Sequence, residues 1–282
     1  MKHLAILAVA GLSLILGQSC AKAATPAPKP PQFAPSDFRT IDPQNALVID
    51  TEKGRIIVEM YPEISPLSVA RIKTLARLKF YDGLIFHRVI DSFMDQGGDP
   101  KGDGSGGSDQ PNVPGEFAFK RGVETNFVAA ISGSGPEDGF VKALPVRSQN
   151  SDLMVMTADG KVSAWGRWCP GVTGMARGGD PNSANSQFFL MRQYNADLER
   201  NYTPWGRVVV GLDVVRSIAA GEPPPVPDHM KSVRILADLP NAPKVQVADA
   251  NSAAFQALIA YTKAQRGGLF SVCDVQLPSR TE

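Results

Sequence analysis

Residues 86–99, FHRVIDSFMDQGGD, combine one histidine and one arginine with a run of Phe, Val, Ile and Met, and then end in glycines. The sequence holds no G-x-S-x-G motif, no cysteine in a nucleophile context and no His/Cys/Asp/Glu run at metal-ligand spacing. A reaction that uses this stretch therefore has to work with a guanidinium beside apolar side chains. Arg88 is the first candidate for that role.

The composition is that of a globular protein without a strong charge field. The chain has 282 residues, of which 43% are hydrophobic and 20% are charged, with 29 Lys and Arg against 28 Asp and Glu. This length allows one large core or two modest ones. The net charge of +1 and the lack of a basic stripe with interleaved aromatic residues argue against nucleic acid or anionic lipid as partners.

Residues 1–23 have the pattern of a secretory signal peptide. Lys2 supplies the positive charge, Leu4 to Leu16 form a short apolar stretch, and Ala21-Lys22-Ala23 gives a small-x-small cleavage site. We expect export of the chain. Two alternatives stay open, namely an N-terminal membrane anchor and a lipoprotein anchored to the membrane through Cys20, although the residue three positions before Cys20 is not aliphatic.

Residues 24–45, which begin ATPAPKPPQFAP, are expected to form an extended, Pro-rich linker. ALVIDTEKGRIIVEMY, residues 46–61, then predicts two strands joined by a Glu-Lys-Gly turn. In SPLSVARIKTLARL, Ser65 as N-cap and Pro66 at the first helical position predict a helix.

The remaining pattern is mainly β. LIFHRVI, SQFFLM and GRVVVG predict short strands separated by Gly, Pro and Asp, and LDVVRSIAA, residues 212–220, predicts a second helix. Many short strands with two helices predict a closed antiparallel barrel capped at its ends.

The glycine-rich segment and the two remaining histidines predict neither a cofactor site nor a metal site. GDGSGG, residues 102–107, has G-x-G-x-x-G spacing, but no strand precedes it and no helix follows, so we expect a surface loop and no dinucleotide cofactor. His87 and His229 have no metal-ligating neighbours at suitable spacing, so no metal site is predicted. His87 is expected to be a core histidine with satisfied hydrogen bonds.

Three sequence blocks in order resemble the cyclophilin family of peptidyl-prolyl isomerases: FHRVIDSFMDQGGD, MARGGDPNSANSQFFLM (residues 175–191) and YTPWGRVVVGLDVV (residues 202–215). The resemblance runs from about Ala46 to Asp238, and the second block is similar to the bacterial branch. It implies a mainly β fold, with a closed eight-stranded antiparallel barrel capped by two helices. It also implies isomerisation of X-Pro bonds without a cofactor. The bacterial branch agrees with the signal segment, and together they lead us to expect the periplasm of a Gram-negative bacterium.

The resemblance also assigns roles to individual residues. Arg88 is expected to donate a hydrogen bond to the prolyl nitrogen as the amide twists, and Gln96 to hold Arg88 or the substrate carbonyl. A guanidinium stays protonated at physiological pH, so no acid–base pair is needed. The expected substrate-binding residues are Phe93, Met94, Ala176, Arg177, Gln187, Phe189, Leu198 and Tyr202.

Two positions depart from the family pattern. Asp197 precedes Leu198 where many cyclophilins carry tryptophan, which puts inhibition by cyclosporin in doubt more than catalysis. Arg177 stands where eukaryotic members usually have asparagine, but the family contact there is largely through the backbone.

Residues 46–238 are expected to form the isomerase domain, interrupted by an insertion at about 123–171. We expect the insertion to be partly structured, with a hairpin at Asp159-Gly160, and to pack on the barrel near the peptide groove. Residues 239–282 form a C-terminal extension, in which NSAAFQALIAYTKAQRGG predicts a helix capped by Asn251 or Ser252.

After removal of a signal peptide, the only cysteines are Cys169 in the insertion and Cys273 in the extension. In an oxidising compartment these two are expected to form a disulfide, and two separate buried thiols are the alternative.

The functional hypothesis is an isomerase that accelerates the folding of exported proteins, acting as a monomer on proline-containing peptides and unfolded chains. A peptide-binding or chaperone-like module with little turnover is the alternative.

Overall fold

The computed structural model describes residues 29–282. The expected signal peptide at residues 1–23, Cys20 and the first residues of the expected linker lie outside the described residues. No helix within residues 29–282 combines the length and the apolar character needed to cross a membrane.

Three helices and a series of short strands make up the described chain. The helices are α1 (Pro66–Arg77), α2 (Leu212–Ser217) and α3 (Ala253–Arg266). The strands are β1 (Phe38–Thr40), β2 (Ala46–Thr51), β3 (Arg55–Met60), β4 (Phe86–Val89), β5 (Met94–Gly97), β6 (Phe119–Arg121), β7 (Phe127–Ile131), β8 (Glu137–Val141), β9 (Leu144–Ser148), β10 (Val162–Gly166), β11 (Val172–Met175), β12 (Phe188–Met191), β13 (Pro204–Val210), β14 (Met230–Ile235), β15 (Val245–Ala248) and β16 (Ser279–Thr281).

Eight antiparallel strands form a nearly closed barrel in the order β14-β2-β3-β13-β11-β12-β5-β4. The edge strands β4 and β14 approach each other through backbone hydrogen bonds from Phe86 N to Asp228 O (3.0 Å) and from Met230 N to Leu84 O (2.8 Å). The β2–β3 hairpin and the two helices predicted from the sequence are present, with α1 against β14 and α2 against β3.

Both faces of this barrel are buried over much of their area. Alternation along β3 places Ile56 and Val58 in the core inside the barrel and Ile57 in a second core outside it. The insertion and the C-terminal extension cover the outer face, and the Phe140 ring of β8 packs edge-on against the Phe255 ring of α3 at 5.2 Å. The two additions therefore form one covering layer on the outer face of the barrel.

The insertion is more ordered than the sequence indicates. Strands β7 to β10 join β6 in a five-stranded antiparallel sheet, in the order β6-β10-β9-β8-β7. The hairpin expected at Asp159-Gly160 is wrong, because residues 151–156 form a 3₁₀ turn instead of a strand. The tight hairpin lies at Lys142-Ala143, between β8 and β9, where the sequence carries no turn-forming residue.

Residues 24–45 are not a linker throughout, which corrects the sequence-based boundary. Phe38–Thr40 form β1, which pairs with β15 of the extension, and β15 pairs with β16. Helix α3 begins as predicted after Ser252, whose side chain accepts a hydrogen bond from Phe255 N at 3.1 Å. The two ends of the described chain thus share one small sheet.

The start of α1 differs from the prediction in its capping group. The Ser65 hydroxyl donates to the Pro204 carbonyl and caps no helical amide. The amides of Leu67 and Ser68 donate instead to the Glu116 carboxylate, each at 2.9 Å. A carboxylate far away in sequence therefore satisfies the free amides of this helix end, where negative charge is favourable.

A disulfide joins Cys169 to Cys273, with Cα atoms 5.0 Å apart. It links the end of the insertion to the C-terminal extension. The expected disulfide is therefore confirmed, and the alternative of two separate thiols is wrong.

Candidate active site

A groove on the outer face of the barrel collects nine of the ten residues expected to act on or bind the substrate. Its cavity has a volume of about 140 Å³, and its lining residues are Arg88, Phe93, Met94, Gln96, Ala176, Arg177, Phe189, Leu198 and Tyr202. The tenth residue, Gln187, lines an adjoining cavity of about 330 Å³ that shares Gln96, Ala176 and Arg177 with the first.

Strand register explains why residues distant in sequence meet in this groove. Arg88 on β4 is opposite Gln96 on β5, and Gln96 is opposite Phe189 on β12. Side chains opposite one another in an antiparallel pair lie on the same face of the sheet. The chain turns sharply after β5 at Gly98, whose φ is +87° and where an added Cβ would lie 2.6 Å from Ser186 O.

Polar contacts orient the Arg88 guanidinium. Its Nε donates to Glu222 Oε2 at 2.6 Å, and its Nη1 donates to Gln96 Oε1 at 3.4 Å. Gln96 Nε2 in turn donates to Gln187 Oε1 at 2.9 Å. Within residues 29–282, Arg88 Nη2 takes part in no hydrogen bond, so a donor remains for a ligand in the groove.

The apolar part of the groove is formed by Phe93, Met94, Phe189 and Leu198, of which the last three are buried. The Phe189 ring contacts the Tyr202 ring edge-on at a centroid distance of 5.9 Å. An apolar pocket beside an exposed guanidinium can hold a small ring while a hydrogen bond is offered to one of its atoms.

Ala176 and Arg177 form one side of the groove, and their polar groups are partly engaged already. Ala176 N donates to Gln187 O at 2.9 Å, so this amide is not available for a substrate strand. The Arg177 Nε and Nη2 atoms donate to Asn201 O at 3.1 and 3.0 Å, and the guanidinium lies 4.6 Å from the centre of the Tyr202 ring. The Arg177 side chain is thereby held against the 201–202 segment.

The glycine-rich segment at residues 102–107 is a loop, as expected, and it borders the groove. Gln187 Nε2 donates to the carbonyls of Gly104 (2.9 Å) and Gly106 (2.8 Å). Asp99 accepts backbone hydrogen bonds from Lys101, Asp103 and Gly104. No group of three or more metal-ligating side chains was found within the described chain.

His87 is buried, as predicted, but the described part of the chain supplies no hydrogen bond to its ring. Within residues 29–282, neither ring nitrogen has a hydrogen-bond partner. Burial lowers the pKa of His87 below its ordinary value of 6.5, against an opposing effect of the Asp99 carboxylate. The ring therefore favours the neutral form in the folded protein.

This neutral histidine is expected to make the fold less stable in acid. The unfolded chain binds a proton at His87 below about pH 6.5, whereas the folded chain resists it, so the free energy of unfolding falls as the pH drops through that value. One such proton changes the free energy of unfolding by up to about 1.4 kcal/mol per pH unit. Urea titrations of the wild type and of His87→Phe between about pH 8 and 5 measure the difference. The variant should show the flatter curve, and parallel curves would contradict the assignment.

Three contributors to the groove were missed in the sequence. Glu222 lies in a Pro-rich stretch and contacts Arg88 only through the fold. Trp168 stacks behind Phe189 with ring centroids 5.2 Å apart. Glu199, next to Leu198, accepts hydrogen bonds from the insertion. Each contact joins segments far apart in the chain, so no local sequence pattern predicts it.

Comparison with known proteins identifies the family to which the barrel region belongs. The family model described as cyclophilin type peptidyl-prolyl cis-trans isomerase/CLD matches residues 46–237. A probable peptidyl-prolyl cis-trans isomerase of Brucella suis is 33% identical over 191 residues, which cover 64% of this chain and 74% of that protein. The isomerase ppi1 of Schizosaccharomyces pombe is 33% identical over 168 residues, which cover 60% of this chain and 81% of that protein.

A solved structure is similar over more than the family region. The crystal structure of cyclophilin AquaCyp293 from Hirschia baltica superposes with a TM-score of 0.81 at 35% sequence identity. The superposition covers 88% of this chain and 94% of that one. The likeness therefore extends beyond residues 46–237.

Proposed function

The chain belongs to the family of cyclophilin-type peptidyl-prolyl cis-trans isomerases, and we propose that it isomerises X-Pro bonds in the groove around Arg88. The barrier to this rotation is roughly 18–20 kcal/mol and arises from the partial double-bond character of the C–N bond. Rotation requires only the loss of amide resonance, so no bond to the protein has to form. A site without a nucleophile or a proton-transfer pair suffices for this reaction.

Arg88 lowers the barrier in this proposal by binding the twisted amide more tightly than the planar one. As resonance is lost, the prolyl nitrogen becomes pyramidal and gains a lone pair that can accept a hydrogen bond. The free Nη2 of Arg88 donates to that nitrogen, and the planar cis and trans states offer it no such acceptor. The single observation that carries the proposal is this donor beside an apolar pocket.

The remaining groove residues hold the substrate. Phe93, Met94, Phe189 and Leu198 take the proline ring, and Gln96 holds Arg88 or the substrate carbonyl. The substrate residues before proline pair with the main chain at Ala176-Arg177 as an added strand. Since the Ala176 amide is already bonded within the protein, this pairing falls to the Ala176 carbonyl and the Arg177 backbone.

A protease-coupled assay on X-Pro peptides tests the activity directly. The protease cleaves only the trans form, so the slow phase reports the rate of cis-to-trans isomerisation. The wild-type protein should shorten this phase in proportion to its concentration. A chain that binds X-Pro peptides without shortening the slow phase would overturn the proposal in favour of a binding module.

The Glu222 ion pair predicts an effect on rate without an effect on stability. Glu222→Gln removes the charge that holds Arg88 Nε, so Arg88 samples more orientations. We expect kcat/KM to fall about three- to tenfold, which corresponds to roughly 0.7–1.4 kcal/mol of transition-state binding. Exposed ion pairs contribute little to folding, so the thermal midpoint should stay unchanged.

Glu63→Gln is the matched control for this variant. Glu63 pairs with Lys142 at 2.6 Å, the same distance as between Glu222 and Arg88, with comparable exposure and away from the groove lining. It should leave kcat/KM at the wild-type value. Equal rates for the two variants would show that Glu222 does not orient Arg88.

For the cellular role, we propose that the chain is exported and acts as a monomer on X-Pro bonds of proteins folding in the periplasm. Lys2, the apolar stretch at 4–16 and the Ala21-Lys22-Ala23 site support export. The Cys169–Cys273 disulfide suits an oxidising compartment. Mass spectrometry of the protein from fractionated cells tests this: an N-terminus near Ala24 in the periplasmic fraction supports it. An uncleaved chain or a lipid on Cys20 would replace it with an anchored form.

A further inference from the structure

Residues 194–202 form the side of the groove that carries Leu198 and Tyr202. A 3₁₀ turn at residues 196–198 places Leu198 in the groove lining, where it is buried. Asn195 begins this turn with a side-chain hydrogen bond from Asp197 N at 2.8 Å. A turn of this length has few hydrogen bonds of its own, so its position depends on what surrounds it.

Glu199, the residue after Leu198, is bonded to the insertion. Its Oε2 accepts a hydrogen bond from Trp165 Nε1 at 2.9 Å, and its Oε1 accepts one from Arg167 Nη1 at 2.6 Å. The Tyr194 hydroxyl adds a third hydrogen bond at 3.1 Å. Only 12% of the Glu199 side chain and 8% of the Arg167 side chain are exposed. We call Glu199 with these three donors the Glu199 clamp.

Two of these donors, Trp165 and Arg167, are held in turn by the five-stranded sheet. Trp165 lies in β10 opposite Arg147 of β9. Arg167 Nε approaches Asp138 Oδ1 of β8 at 3.8 Å, and Arg147 holds both oxygens of Asp138 at 2.7 Å. The clamp therefore ties Glu199, the residue beside Leu198, to an ordered sheet.

A second contact reaches the apolar pocket from the same strand end. Trp168 is fully buried and stacks behind Phe189 at 5.2 Å. It also lies against Gly174 of β11, where an added Cβ would come within 2.5 Å of the indole. Residues 165–168 of the insertion thus support two walls of the pocket, at Leu198 and at Phe189.

We propose that the insertion is a working part of the peptide site, in which Trp165 and Arg167 act through Glu199 as positioning residues for the Leu198 wall. The inference rests on the proposed placement of the isomerase site in this groove. Precise binding by a small pocket requires that its walls be held by surrounding contacts. Here the contacts come from the covering layer, so the insertion sets the affinity for the proline ring.

The expected effect on KM and kcat follows from the states of the substrate that Leu198 contacts. Leu198 contacts the proline ring in the planar and in the twisted state alike, whereas Arg88 distinguishes them. Loosening the wall therefore weakens ground-state and transition-state binding equally, which raises KM and leaves kcat unchanged. A purely structural insertion would affect the thermal midpoint and leave KM as it is.

Two conservative variants test this signature. Trp165→Phe removes the indole N–H and keeps a ring under Arg200, whose guanidinium lies 5.1 Å from the indole centre. Glu199→Gln removes the charge that Arg167 faces. For each variant we expect KM for an Ala-Pro peptide to rise about 5- to 20-fold with kcat within about twofold of wild type. The methyl resonances of Leu198 in labelled protein should shift in both.

Glu124→Gln is the matched control, since Glu124 pairs with Lys161 at the opposite end of β10. It should leave KM and the Leu198 resonances at wild-type values. Wild-type KM in both clamp variants, with Arg88→Ala still strongly impaired, would overturn the clamp and leave the proposed site intact. If Arg88→Ala is as active as the wild type, the proposed site itself fails, whatever the clamp variants do.

Discussion

Replacing Arg88 with alanine is expected to lower kcat/KM for X-Pro peptides about 100- to 1000-fold, with the loss in kcat. The side chain supplies the one donor that favours the twisted amide, and removal of one such donor in other enzymes costs about 2.7–4 kcal/mol of transition-state stabilisation. The Arg88 side chain is 39% exposed, so little packing is lost and the fold should persist. The measurement is the protease-coupled rate together with peptide affinity.

Arg55→Ala is the matched control for this loss. Arg55 also lies on a barrel strand and pairs through Nε with a carboxylate, that of Asp50, at 2.7 Å, but it does not line the groove. Its removal should leave the rate unchanged. An Arg88→Ala protein that binds peptide normally and retains more than half of the wild-type rate would rule out the proposed mechanism.

Removing the Cys169–Cys273 disulfide is expected to give the largest change in stability. The two cysteines are 104 residues apart in sequence, and in the chain-entropy model a closed loop of roughly 100 residues stabilises the fold by about 4.7 kcal/mol. The double variant Cys169→Ser, Cys273→Ser should lose about 4–5 kcal/mol of unfolding free energy in urea titrations. Its isomerase activity at low temperature should remain, since neither cysteine lines the groove.

Reductant provides the internal control for that experiment. It should destabilise the wild type by a similar amount and have no effect on the double variant. Two free thiols in the unreduced, denatured protein, or equal stability of the wild type and the double variant without reductant, would contradict this prediction.

Most of the groove could be predicted because three sequence blocks resemble the cyclophilin family, and nine of the ten expected site residues, all but Leu198, lie in those blocks. Phe93, Met94 and Gln96 follow Arg88 within the β4–β5 hairpin, and strand register places Gln96 opposite both Arg88 and Phe189. The β2–β3 hairpin and the first two helices, in contrast, were predicted from local residue patterns. Elements formed by residues close together in the sequence could therefore be predicted from it.

The parts that were missed depend on contacts between distant segments. Glu116 caps α1, Glu222 orients Arg88 and Glu199 meets Trp165, each across many residues of chain. Strands β1, β15 and β16 are short, and their pairing joins the two ends of the described chain.

The pairing of β1 with β15 has a consequence for the order in which the chain can fold. Synthesis proceeds from the N-terminus, so Phe38 is made early, but its partner Ala248 is made only after every barrel strand. Closing so long a loop is slow compared with forming the local hairpins. The barrel with its groove can therefore assemble first. The covering layer is completed last, when β15 has been made and can pair with β1.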